Sequence, residues 1–156
     1  MAIRYLAGTL VLGIALAGVA RADGPGGGGT RDDLGAGVVT VFEQPVTNIP
    51  GKSVIAQEVS YAPGAKGAPH RHSNSAFTMA YVVSGSIRSQ VEGEPLHVYY
   101  AGQTWQENPG AHHIVSENAS TTEPAKLLAV FVADTADENS LTTVDPAMGP
   151  MGDHHE

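Results

Sequence analysis

Gly64-Ala65-Lys66-Gly67-Ala68-Pro69-His70-Arg71-His72 and, later in the chain, Gly102-Gln103-Thr104-Trp105-Gln106-Glu107-Asn108-Pro109-Gly110-Ala111-His112-His113 are the two stretches that decide the fold. Each runs from a glycine, through a segment of turn-forming residues, to histidine. On a strand, side chains two apart share a face, so His70 and His72 point one way and Arg71 the other. Two imidazoles on one face make half of a metal site. The third has to come from another strand, and His113, which opens a strand after the Asn108-Pro109-Gly110 turn, is the candidate, facing the pair from across the fold. Neutral imidazole suits many first-row ions. An isolated HxH is a weak signal, so the surroundings carry the rest.

Outward from these stretches the chain reads as short strands separated by turns. Val38–Phe42 and Val54–Tyr61 are β-branched or alternating, and Ala62–Pro69 is loop by composition. Met79–Val83, Ile87–Val91, Leu96–Tyr100, Thr104–Glu107 and His113–Val115 follow. Turns are expected at Ser84-Gly85-Ser86, Glu92–Pro95 and Ala101-Gly102. Lys126–Ala133 is apolar enough to be buried on both faces. No stretch has a long helical period and no solenoid repeat is present. An all-β sandwich or barrel follows.

The spacing resembles that of the cupin family. Its first motif is a glycine, five residues, HxH, three or four residues, a glutamate, six residues and a glycine. Gly64, His70, His72 and Gly85 match. Its second is a glycine, five residues, PxG, two residues, a histidine, three residues and an asparagine. Gly102, Gly110 and His113 match, with Asn118 one step late. Three departures stand out. The glutamate position falls on Ala76, Phe77 or Thr78, none a carboxylate. Asn108 replaces the motif proline, and Glu117 stands where asparagine is usual. The resemblance implies a single jelly-roll (double-stranded β-helix) barrel over residues 38–133. It also implies one divalent transition-metal ion on His70, His72 and His113, with Fe favoured over Mn, Ni, Cu or Zn. A three-histidine site would leave the ion's 2+ charge uncompensated and favour anionic or enolate-like ligands. Phe77, Met79, Tyr81 and Trp105 are candidates to line the pocket, Arg88 to anchor a substrate carboxylate, and Gln90 and Glu107 to replace the lost glutamate. A glutamate at a turn is more often solvated than ligating. His112, next to His113, is expected to face outward, and His97 to be a surface or packed residue.

The chain ends are of a different character. Arg4, an apolar run from Tyr5 to Val19 and Ala20-Arg21-Ala22 have the layout of a signal peptide over residues 1–22. The apolar run falls short of the ~20 residues of a spanning helix. Residues 23–37, with Gly24-Pro25-Gly26-Gly27-Gly28-Gly29, read as a flexible leader, and residues 134–156 as an acidic flexible tail. Removal of residues 1–22 leaves six Lys+Arg against sixteen Asp+Glu, a net charge of −10. That charge argues against nucleic-acid binding and against docking on anionic membranes. The absence of cysteine excludes thiolate metal sites, thiol nucleophiles and disulfides.

The expected protein is therefore periplasmic or secreted and acts on a small molecule. The leading expectation is a mononuclear metal-dependent, oxygenase-type enzyme. The alternative is a non-catalytic small-ligand or sugar-binding barrel. A homodimer through sheet edges is compatible with the resemblance.

Overall fold

The computed structural model describes residues 36–146. They form ten strands: β1 (Gly37–Pro45), β2 (Lys52–Tyr61), β3 (His70–His72), β4 (Phe77–Ser84), β5 (Ser86–Val91), β6 (His97–Tyr100), β7 (Thr104–Glu107), β8 (His112–Asn118), β9 (Ala125–Asp134) and β10 (Thr142–Val144). A short 3-10 helix, Thr135–Ser140, joins the last two. The strands make two five-stranded antiparallel sheets, in the orders β1-β2-β9-β4-β7 and β10-β3-β8-β5-β6. This is the all-β jelly-roll barrel that the motif spacing implies. Most neighbours in a sheet are distant in sequence, as barrel closure requires.

Strand alternation builds the interior. On β9, Ala125, Leu127, Ala129, Phe131 and Ala133 are buried, while the residues between them are half-buried. The expectation that β9 is buried on both faces is therefore corrected: its outer face is only partly covered. On β4, Thr78, Ala80 and Val82 point inward, and Phe77, Tyr81 and Val83 are exposed on the outer face. Ile55, Val82, Ile87 and Phe131 are the largest fully buried apolar side chains. Burying such side chains is the main source of stability, roughly 1.5–3 kcal/mol each.

Two motif glycines have steric reasons to be glycine. Gly85, where the chain leaves the first sheet for the second, has φ +70, and a Cβ there would lie 2.6 Å from the Pro124 carbonyl oxygen. Gly110 has φ +74, and its Cβ would lie 2.6 Å from Asn74 Oδ1. Only glycine takes such backbone conformations without strain.

The boundaries move at both ends. Ala36 is buried and Gly37 opens β1, so the leader ends sooner than expected. The flexible tail expected from Asp134 is corrected through residue 146. Leu141 is buried, and β10 pairs with β3 in the register Thr142↔His72, Thr143↔Arg71 and Val144↔His70. Asp137 accepts hydrogen bonds from Ser73 Oγ (2.7 Å) and Ser75 Oγ (2.6 Å), which fasten the 3-10 helix to the barrel. The expected signal peptide, residues 23–35 of the leader and residues 147–156 of the tail lie outside the described residues. Among the described residues no helix is long and apolar enough to cross a membrane.

Candidate metal centre

β3 is only three residues long, with His70 and His72 buried and Arg71 exposed between them. Antiparallel pairing of β3 with β8 sets His70 directly opposite His113. His113 thus comes from the neighbouring strand of the same sheet, not from across the barrel as expected. One ligand-capable atom from each of the three histidines lies within 4.8 Å of the others.

Each imidazole has one nitrogen engaged by the chain. His70 Nδ1 donates to the Ala68 carbonyl (2.9 Å). His72 Nδ1 is 3.3 Å from Thr142 Oγ1, and His113 Nε2 is 2.8 Å from Ser89 Oγ. In the tautomers where these nitrogens carry the hydrogen, the second nitrogen of each ring keeps its lone pair. Such hydrogen bonding fixes the orientation of metal-binding histidines. Burial lowers His70 below the ordinary imidazole pKa, against the opposing pull of the Ala68 carbonyl. Burial likewise brings His113 down to about 4, partly offset by the charge of Glu107. At neutral pH both rings are neutral, the state that binds a cation.

Glu107 sits against this group with 3% of its side chain exposed. It was expected to be solvated, because it precedes a turn. Instead it shares the inward face of β7 with Trp105, whose Nε1 donates to its Oε1 (2.9 Å). His72 Nε2 lies 2.8 Å from Oε2, and His113 Nδ1 lies 3.4 Å from Oε1. Among the described residues His72 is the neighbour that Oε2 meets at this distance. Burial pushes the Glu107 pKa upward, but His72, His113 and Trp105 outweigh it and hold the carboxyl at about 2. Three oriented imidazoles around one point, with an ionised buried carboxylate beside two of them, fit a divalent transition-metal ion.

The group opens into a cavity of ≈ 630 Å³, within the range of small-ligand sites. Its walls include Val38, Tyr61, Ala80, Trp105, Leu127 and Phe131, and among the described residues no lysine or arginine lines it. Tyr61 donates to or accepts from Ser116 Oγ at 2.7 Å, and burial raises its phenol pKa. The Phe131 ring meets His72 edge-on, with centroids 5.5 Å apart. Trp105 stacks on Tyr99, with centroids 4.5 Å apart.

Five expected pocket residues lie elsewhere. Phe77, Met79 and Tyr81 are on the outer face of β4, because Thr78 and Ala80 take the inward positions. Arg88 faces out of β5 and pairs with Glu117 (2.6 Å), so it anchors nothing in the cavity. Gln90, two residues on, donates to the Glu94 carbonyl (3.0 Å). His112 turns outward to Asp145 (2.7 Å) and Glu92 (3.2 Å), and His97 is exposed. Thr78, Ser89, Tyr61 and Thr142 had not been singled out. The alternation of β4 and β5 carried a signal for the first two, and nothing marked Thr142.

A jelly-roll barrel with inward histidines converging beneath an open cavity defines a class of small-molecule and metal-binding proteins. The cupin domain family matches residues 57–131, the span holding both histidine motifs. The chain belongs to the cupin superfamily. No curated protein sequence matches it. Among solved structures it is similar to a Cupin 2 conserved barrel domain protein from Salinispora arenicola. That pair shares 20% identity over 67% of this chain and 80% of the other, at a TM-score of 0.50. It is similar to an oxalate oxidase in complex with glycolate, at 25% identity over 68% of this chain and 55% of the other, with a TM-score of 0.51. A DMSP lyase from Ruegeria pomeroyi aligns at 15% identity over 74% of this chain and 54% of the other, with a TM-score of 0.57.

Proposed function

We propose that this protein is an exported metal-dependent enzyme that carries out oxygenase-type chemistry on a small organic molecule bound beside His70, His72 and His113. The observation that supports this most is the convergence of three buried imidazoles at the wall of a cavity large enough for a one-ring compound. Iron is the first choice of ion, with manganese, nickel, copper or zinc compatible with imidazole ligands. When bound, the ion supplies Lewis acidity and a site for dioxygen. The likeness to an oxalate oxidase gives an oxidative reading some further support, as fold-level analogy. The signal-peptide layout of residues 1–22 supports a periplasmic or secreted location.

The chain's own groups have definable parts. Ala68, Thr142 and Ser89 hold the three rings in one orientation. Val38, Leu127 and Phe131 give the substrate an apolar wall. Tyr61, with its raised pKa, keeps its proton and serves as a hydrogen-bonding group rather than a base. Glu107, ionised at neutral pH, does not act as a proton donor.

A non-catalytic ligand-binding barrel is the second reading, favoured by the loss of the first-motif carboxylate at Ala76, Phe77 and Thr78. Oxygen uptake by iron-loaded protein, screened with β-diketones and catechols, separates the two. Uptake that needs both metal and substrate is expected. Saturable binding of these compounds with no uptake and no product establishes the binding-module reading instead.

A further inference from the structure

We infer that Thr78, on β4, is a substrate contact of this site: its buried hydroxyl takes the hydrogen bond of a hydroxyl or amine group on the bound molecule. This rests on the small-molecule reading above and adds to it one residue and one requirement on the ligand's chemistry.

The hydroxyl groups of the cavity wall single Thr78 out. Thr40, Tyr61, Thr78, Ser116 and Thr142 all line it. Tyr61 and Ser116 bond each other at 2.7 Å, Thr142 Oγ1 meets His72 Nδ1 at 3.3 Å, and Thr40 Oγ1 accepts from Gln57 Nε2 at 3.5 Å. Thr78 is 2% exposed, and among the described residues its Oγ1 has no hydrogen-bond partner. A buried hydroxyl without a partner destabilises a fold, and its presence calls for an explanation. Valine would fill nearly the same space without that cost.

The strand register puts this hydroxyl beside the histidines. Thr78 is paired with Glu107 on β7 and with Phe131 on β9. Direct partners hold their Cβ atoms about 5 Å apart on one face. Both partners touch His72, Glu107 through Oε2 at 2.8 Å and Phe131 edge-on with centroids 5.5 Å apart. Thr78 therefore lies between the two residues that flank that ring. Two positions along β4, Ala80 is paired with Ala129, and both line the cavity. These small side chains leave room for a ligand next to Thr78.

The surroundings select the ligand group. Thr78 sits next to the Glu107 carboxylate, and among the described residues no lysine or arginine lines the cavity. An anionic group there meets repulsion and no compensating cation. A ketone or ether oxygen can only accept, and sets its lone pairs against those of the carboxylate. A hydroxyl or amine has a hydrogen to donate to Thr78 Oγ1. The ligand class narrows to small molecules with a hydrogen-bond donor, and not a second acid, at this position.

Trp105, the chain's only tryptophan, lines the cavity, so its fluorescence reports occupancy. Purified Zn(II)-loaded chain is titrated with catechol, ortho-aminophenol, guaiacol and salicylate, beside Thr78→Val and Thr78→Ser. The native chain should bind catechol and ortho-aminophenol about tenfold more tightly than guaiacol, whose methoxy group has no hydrogen to give, and salicylate most weakly. Thr78→Val should erase that preference while leaving guaiacol affinity within about twofold, and Thr78→Ser should keep it. Elemental analysis should show the same metal content in both variants. Ligand-free Thr78→Val should melt about 4 °C or more above the native chain, because a lone buried hydroxyl is gone. A hydroxyl that served only the fold would shift Tm the other way. Thr78→Ala repeats the preference test if the valine variant does not fold. A catechol preference that survives in the variant without the hydroxyl, a lower Tm for Thr78→Val, or no saturable binding of any probe by the native chain overturns the inference. Oxygen uptake decides the enzyme reading separately. A Thr78-dependent preference without uptake overturns that reading alone, and uptake by Thr78→Val with native catechol affinity overturns the inference alone.

Discussion

Acid should destabilise the metal-free protein well before its ordinary carboxylates titrate, and His113 sets the size of the effect. In the unfolded chain His113 titrates near 6.5, and in the fold near 4. Between these values the unfolded state binds more protons, so the free energy of unfolding falls as pH falls. Stability from keeping this ring neutral and buried is complete above about pH 6.5 and is lost as pH drops toward 4. At 1.36 kcal/mol per pKa unit the full loss is on the order of 3 kcal/mol. His70 is shifted in the same direction and adds to it. Glu107, held at about 2 instead of 4.5, contributes stability above pH 4.5 that is lost only below that value, outside this window. The assay is urea and thermal unfolding of chelator-treated protein at steps from pH 7.5 to 4.5. At roughly 4 °C per kcal/mol, Tm should fall by about 10 °C. His113→Gln should flatten most of this dependence. Equal stability at pH 7.5 and 4.5 in the native chain, or an equally steep fall in His113→Gln, would refute the reasoning.

Three further outcomes follow from the packing. Phe131→Ala removes a ring that is 2% exposed and supports His72; chemical denaturation should show a loss of about 3–5 kcal/mol. Gly85→Ala places a Cβ against the Pro124 carbonyl in a left-handed conformation, so it should lose about 1–3 kcal/mol from backbone strain and more from the clash, read as a drop in Tm. Arg88→Ala breaks only a partly exposed outward pair with Glu117; stability should change by less than about 1 kcal/mol, and ligand affinity by isothermal titration should not change.

The sequence made the three converging histidines legible because two glycine–histidine frames in the right order constrain each other. The strand pattern was legible because turn residues punctuate it. The face of β4 was not. Phe77, Met79, Tyr81 and Val83 look like the interior set, yet the barrel puts the smaller Thr78 and Ala80 inside, where they leave room for the cavity, and leaves an apolar outer face. Arg88 and Gln90 were misplaced for the same reason, since Ile87 and Ser89 own the inward positions of β5. β10 escaped notice because Thr142–Val144 is too short to show a period and follows an acidic turn, and only pairing with β3 reveals it. Glu107 carried a usable signal. It is two residues from Trp105 on a strand, so the two share a face, but its place beside a turn argued for solvent. The register opposite Thr78 exists only in the fold.

The central claim is that His70, His72 and His113 hold one metal ion, and elemental analysis of the purified native chain beside a His70→Ala/His72→Ala variant tests it most directly. The account predicts close to one transition-metal ion per native chain, as purified or after reconstitution with Fe(II), and almost none in a variant that still folds. A native chain that takes up no metal from Fe(II), Mn(II), Ni(II), Cu(II) or Zn(II), or a folded variant that holds as much as the native chain, would contradict it.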